Sequence, residues 1–276
     1  MSFDKYWFEK YIIDCVVEIT HPKQGTGFWI LPDGHILTCY HILVTADRWG
    51  REVENSDVKI KYHGKDYIAV LDKEHSKKEL DIAVLTVKEE IDEKIHFVPL
   101  GDPELNTEVQ VFGYRVGEDG KTFKKGYHIS GMLRPGQILN EGGLVYNLET
   151  NQPPLSSVAG MSGSPVYDMN TTKVIGIQGS EERTGPSICY VHPVAKIYKL
   201  WPELRIKNFN SIRKDFNIYF MATDLPRSIF ILSMGLLQSQ LKNVFDKTVI
   251  STAEQTLVDI EGEKVLGNLN KILVLC

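Results

Sequence analysis

Short apolar runs with period-two alternation, separated by Gly, Pro, Asn and Asp, fill residues 12–192 of the chain. That period is the signature of strands with one buried face. A first group is read at 12–19, 25–31, 35–40, 57–62, 66–72 and 81–87. Asp33-Gly34 between two apolar runs marks a hairpin. Trp49-Gly50 and the acidic stretch 52–57 fall in a surface loop, and Pro99 to Asn106 leads to a second group at 108–113, 126–132, 143–149, 164–168, 173–178 and 188–192. Many short strands at such spacing favour a barrel or a sandwich. Helical spacing is confined to the ends. Residues 3–11 read as a short amphipathic helix with Tyr6, Trp7 and Tyr11 able to pack, and 195–202 as another. Beyond Pro202, Ile229, Leu232, Leu236, Leu237, Leu241 and Val244 lie on one helical face, and further helices are expected from Thr252 and over Leu266 to Ile272.

Composition narrows the function classes. The 276 residues carry a net charge of −5 and 42% hydrophobic residues, which suits a globular protein with a sizeable core. Lysines are interspersed with acids and form no basic stripe, so nucleic acid is not an expected partner. The longest apolar run, Ile229 to Leu237, is too short to span a bilayer, and charges interrupt the first ten residues where a secretion signal needs an apolar core. Cys15, Cys39, Cys189 and Cys276 show no C-x-x-C spacing. They are read as free thiols in a reducing, cytoplasmic setting, and no metal or organic cofactor is expected.

Three segments carry candidate chemistry. Gly160-Met161-Ser162-Gly163-Ser164-Pro165 reads as a serine on a tight turn, with flanking glycines that let amide N–H groups converge beside its hydroxyl. A plain Gly/Ser/Pro turn has the same composition. His41 stands just past the strand that follows Asp33-Gly34, where it either caps a strand end or faces a cleft. Asp81 opens the apolar strand 81–87; a carboxylate entering a core needs a dedicated hydrogen-bonding partner. Together they occur in the order His, Asp, Ser, one of the chain orders known for a nucleophile, its base and the base's orienting acid.

At this point the sequence resembles the trypsin/chymotrypsin-like serine peptidases, and among them the HtrA-like and glutamyl-endopeptidase-like bacterial branches. The likeness runs over roughly residues 12–203 and includes the strand Val174 to Gln178 and the closing segment Tyr190 to Val194. It implies a mostly β protein of two six-stranded antiparallel β-barrels of the chymotrypsin type, about 12–100 and 107–194, followed by a small α-helical C-terminal region. A peptidase domain at 1–203 and a helical region at 204–276 follow from it. By the family's pattern Ser162 is the nucleophile, His41 the general base and Asp81 its orienting acid, with an oxyanion hole from the N–H groups of Gly160 and Ser162. The substrate-binding pocket is expected from Ser156, Gln178, Gly179, Ser180, Glu181 and Ser187. Ser156 and Gln178 suit a polar or small P1 residue; Glu181 and Glu182 favour a basic one if they turn inward. Met161 replaces the aspartate through which animal digestive enzymes are switched on, so that switch is not expected. The expected activity is endoproteolysis of protein or peptide substrates inside the cell, regulated and, by analogy, part of a bacterial stress or phage-defence system. Residues 204–276 would dock a regulatory protein partner or restrain the peptidase. The second reading is a catalytically silent peptidase-like module that binds peptides or recruits partners.

Overall fold

Alternation in the first strand group closes a sheet on itself. The computed structural model describes residues 12–91, 93–103, 105–116, 126–139, 143–150, 159–171, 173–182 and 188–212. Its strands are β1 (Val16–His21), β2 (Gly25–Trp29), β3 (His35–Thr38), β4 (Val44–Ala46), β5 (Glu52–Glu54), β6 (Asp57–Tyr62), β7 (Lys65–Lys77) and β8 (Ile82–Val87). Six of these form a closed antiparallel barrel in the order β1-β2-β3-β8-β7-β6. Inward positions along them, including Val17, Ile19, Trp29, Ile36, Ile60 and Leu85, are fully buried, and Phe28, Leu37 and Val84 on the opposite face are buried as well. Trp29 meets Tyr62 edge-on at 5.4 Å in the same core. Closing the sheet pairs its two edges, so neither is left as a template for association.

The second group is β9 (Thr107–Gly113), β10 (Tyr127–Leu139), β11 (Gly143–Thr150), β12 (Pro165–Asp168), β13 (Lys173–Glu182) and β14 (Ile188–Pro193). It closes in the order β10-β11-β14-β13-β12-β9. Val109, Val111, Ile129, Leu133, Leu148, Val166, Ile175 and Val191 fill it, joined by Met161 from the turn that carries Ser162. The two-barrel architecture expected above is therefore present.

Three details differ from expectation. The first strand starts at Val16, because Ile13–Cys15 form a 3-10 turn. The surface loop around Trp49 is a small hairpin: β4 pairs with β5, and the Asp47 carboxylate accepts from the N–H groups of Trp49 and Arg51 at 2.9 Å each. This is an Asx-type turn, which organises a loop without apolar patterning. Strand β10 runs on through Pro135-Gly136, where a register shift between Arg134 and Gln137 absorbs the breaker.

The chain divides into two units, Met1–Asn208 and Phe209–Cys276. The first ends with α1 (Ala195–Leu200) and the start of a helix over 204–212. Leu204 is buried on it, and buried Asn208 donates to Ile30 O (2.8 Å) and Val98 O (2.9 Å) while accepting from Leu100 N (3.1 Å). One amide side chain thus satisfies three backbone groups between the first barrel and the connector to the second. The helix expected at 3–11 and those expected beyond 229 lie outside the described residues.

Candidate active site

His41 leaves the first barrel on a 3-10 turn, Tyr40–Leu43, whose Ile42 and Leu43 are buried and fix it. Its side chain stays 41% exposed. Asp81 follows a second such turn, Lys78–Leu80, and adopts left-handed backbone with φ 54° and ψ 40°. Aspartate tolerates that region better than most residues, and the buried run of β8 begins immediately after it. The Asp81 carboxylate accepts from the backbone N of His41 at 2.9 Å and from His41 Nδ1 at 2.9 Å (Oδ2) and 3.1 Å (Oδ1). A carboxylate can only accept, so the proton of neutral His41 sits on Nδ1 and Nε2 is left with its lone pair.

The serine turn is gripped by the opposite barrel. Thr26 of β2 is fully buried; its N–H donates to Ser162 O at 2.9 Å and its hydroxyl to Gly160 O at 2.8 Å. That hydroxyl also accepts from Tyr114 N at 2.9 Å, and Thr38 Oγ1 donates to Thr26 O at 2.7 Å. Gly160 and Gly163 hold left-handed φ of +87° and +88°; a Cβ on Gly160 would lie 2.2 Å from Tyr114 O. Ala159 O accepts from Val116 N (2.7 Å) and Met161 O from Ser164 N (3.0 Å). In a trans peptide the N–H points opposite to its C=O, so the N–H groups of Gly160 and Ser162 point away from those partners. Among the described residues neither is spent on a backbone carbonyl. Ser162 Oγ donates to Gly179 O at 3.4 Å, and among the described residues it has no hydrogen bond to His41. Such bonds are often long without substrate and tighten in the complex.

Behind Asp81 lies a buried polar cluster that the sequence pattern did not reveal. His192 Nε2 is 3.1 Å from Asp81 Oδ2, and His192 Nδ1 is 2.9 Å from Lys196 Nζ. Burial opposes ionisation of Asp81, but hydrogen bonds from His192 and His41 outweigh it and hold its carboxyl well below the usual carboxylate range. Burial lowers the affinity of His192 for a second proton and brings Lys196 down to about 8. Cys39 Sγ donates to Gln178 O at 3.2 Å, and burial followed by the Asp81 charge pushes its thiol well up. Cys39, Asp81 and His192 offer ligand atoms within 4.8 Å of one another, a spacing a metal ion could bridge. The chemistry of the donor set fits a metal poorly: the thiol is held protonated, the carboxylate is occupied by N–H donors, and an ammonium sits against the imidazole.

The pocket residues fare unevenly. Gln178 is fully buried, and neither its Oε1 nor its Nε2 has a hydrogen-bond partner. Gly179 is in place beside Ser162 Oγ. Ser180 and Glu181 lie on β13 by their backbone. Ser156 and Ser187 lie outside the described residues. Thr26 and His192 are the side chains in contact with the site that reading the sequence missed. Thr26 stands between Gly25 and Gly27 on β2, and its clue is a polar residue between two glycines that opens an apolar strand. For His192 the clue was a lysine four residues on.

Comparison with known proteins follows this geometry. A family profile described as "Trypsin-like peptidase domain" matches residues 25–177, more than half of the chain. No curated protein sequence matches. Among solved structures, the active form of the Rv3671c protease from M. tuberculosis is similar with a TM-score of 0.52 and 19% identity, covering 69% of this chain and 81% of that one. Its inactive form gives 0.51 and 18%, covering 70% and 89%. The serine endoprotease from Yersinia pestis gives 0.53 and 17%, covering 74% and 67%. At these identities the likeness is one of fold.

Proposed function

Since the chain belongs to the trypsin-like peptidase family and is a serine endopeptidase by class, we propose that it cleaves peptide bonds through Ser162, His41 and Asp81. The observation that carries this reading is the pairing of His41 with Asp81, forty residues apart, which leaves Nε2 as the free base. Ser162 Oγ adds to the scissile carbonyl as His41 Nε2 takes its proton. The tetrahedral oxyanion is met by the N–H groups of Gly160 and Ser162. Collapse expels the amine, which takes the proton back from His41, and leaves an acyl-Ser162 ester. Water, deprotonated by His41, then hydrolyses the ester. Asp81 stays ionised throughout and stabilises the imidazolium.

The family's pattern gives Gln178 a place at the P1 pocket, and its amide, buried with no hydrogen-bond partner, is a polar group that a polar P1 side chain could meet on entering. Cleavage of a peptide library by the full chain is expected to enrich polar over large apolar P1 residues, with no cleavage by the Ser162→Ala protein. Enrichment of leucine or phenylalanine at P1 would refute the assignment of Gln178.

Cys15, Cys39 and Cys189 are buried thiols in no disulfide, which supports a reducing, intracellular setting. Among the described residues no helix is long and apolar enough to cross a membrane. In this reading 204–276 is the regulatory region and the protein is a controlled effector in bacterial stress or phage defence. One observation favours the silent-module reading: Ser162 Oγ is turned to Gly179 O.

A further inference from the structure

Asp81 has a partner that the reaction above leaves unused. His192 lies on β14 opposite Ile177 of β13, with only 4% of its side chain exposed. It occupies space that β13 leaves empty: a Cβ on Gly179 would sit 2.5 Å from His192 Nε2 and 2.8 Å from Cδ2. Any other residue at 179 would push the imidazole off Asp81. Lys196 follows four residues later on α1, also buried, with Leu80 O as a second acceptor at 3.5 Å. Leu80 adjoins Asp81, so the lysine is tied to the same short turn as the carboxylate.

We propose that Lys196 and His192 are positioning residues that hold Asp81 for its work on His41: the Lys196 ammonium donates to Nδ1 of neutral His192, and His192 Nε2–H donates to Asp81 Oδ2. The proposal rests on the reading of His41 as base and Asp81 as its orienting acid. The tautomer follows from donor chemistry. An ammonium has three donors and no acceptor, so Nδ1 must accept and the single proton must sit on Nε2. A neutral His192 then presents a donor to Asp81 without adding a charge beside it. The buried Lys196 and the half-buried Asp81 are bridged rather than in contact, and Asp81 keeps its remaining acceptor directions for His41 N and Nδ1. The ionisable groups facing this chain are Asp81 and His41 from the first barrel, Cys39 at the end of β3, and Lys199 on α1.

The lysine has a second effect. With a positive charge 2.9 Å from Nδ1, His192 resists a second proton. Removing that charge is expected to raise the affinity of His192 for a second proton, which burial still opposes, and an imidazolium there would weaken the attraction of Asp81 for protonated His41.

Nitrogen-15 spectra of histidine-labelled full-length Ser162→Ala protein read the tautomer directly, without turnover. The expected spectrum shows His192 neutral and protonated on Nε2, and the Lys196→Met change raises the pH at which it takes up a second proton. A proton on Nδ1, or a titration unaltered by Lys196→Met, overturns the proposal. In the active chain, His192→Phe is expected to lower kcat about 10–100-fold, the usual loss for a partner that orients a reacting group, with KM unchanged. His192→Gln, whose amide can still donate to Asp81, restores most of kcat. Lys196→Met moves the acid limb of the kcat/KM profile. Wild-type kcat and an unmoved profile in a folded His192→Phe protein also overturn it. If the wild-type chain has no hydrolytic activity, the assignment of His41 and Asp81 fails, while the spectra still decide the hydrogen-bonded chain itself.

Discussion

Replacing Ser162 by alanine is expected to lower kcat by about 10⁶-fold, and replacing Asp81 by asparagine by about 10⁴-fold, by the pattern of other enzymes with this arrangement. The reason for the second loss is visible in the hydrogen bonds. Asp81 Oδ1 accepts from the backbone N of His41, and Oδ2 from His41 Nδ1 and His192 Nε2. An asparagine NH₂ in place of Oδ1 would face a backbone donor that cannot change. In place of Oδ2 it would face two imidazole N–H groups, and His41 would have to move its proton to Nε2, where the base must be empty. Either orientation spoils the base while leaving Ser162 and its turn intact. The same carboxylate contributes to stability. Its folded-state pKa is depressed, so the contribution is complete above the ordinary value of 3.8 and is lost as pH falls through the folded-state value. Steady-state kinetics and acid unfolding of both variants check these expectations; an Asp81→Asn protein within tenfold of wild type would contradict the assigned role.

Gly163→Ala is expected to disable the protein through its fold. The added Cβ would lie 1.9 Å from Thr26 O and 2.3 Å from Thr38 Oγ1, at a backbone φ of +88°. Neither neighbour can yield easily, because Thr38 Oγ1 is itself bonded to Thr26 O at 2.7 Å. Overpacking costs about 1–3 kcal/mol and left-handed backbone about 1–2 kcal/mol, so a loss of about 2–5 kcal/mol follows if the two add. In a unit of this size that lowers Tm by roughly 4–20 °C, and the nucleophile turn is what moves. Gly50→Ala is the matched control. Its φ is +78°, but nothing lies within 4 Å of the added carbon, so only the backbone contribution remains. Equal Tm losses for the two variants would show that contact with Thr26 is not what Gly163 avoids.

Strand patterning made most of the architecture legible because short apolar runs mark the strands of both barrels, alternating with polar residues in β6 and continuous in β8. It failed where polar chemistry sets the backbone. β7 was read as 66–72 but extends from Lys65 to Lys77, since Lys73-Glu74-His75-Ser76 carries no apolar signal. His75 instead packs on Trp201 at 4.2 Å, and Ser76 Oγ accepts from Val84 N at 2.9 Å. Trp49's hairpin was missed for the same reason. His41, Asp81 and Ser162 stand out in the sequence because their neighbours carry Gly and apolar signatures, and the structure pairs His41 with Asp81. Thr26 and His192 do not stand out, because each reaches the site through contacts between segments distant in sequence. Asp81 called for a buried partner, yet nothing local shows that one of its partners comes from β14.

The central claim, that Ser162 is an activated nucleophile, is tested most directly by exposing the full chain to a fluorophosphonate and weighing it intact. A single covalent adduct that maps to Ser162 and vanishes in Ser162→Ala is the predicted result. An unmodified wild-type chain, or an adduct that persists without Ser162, would contradict it.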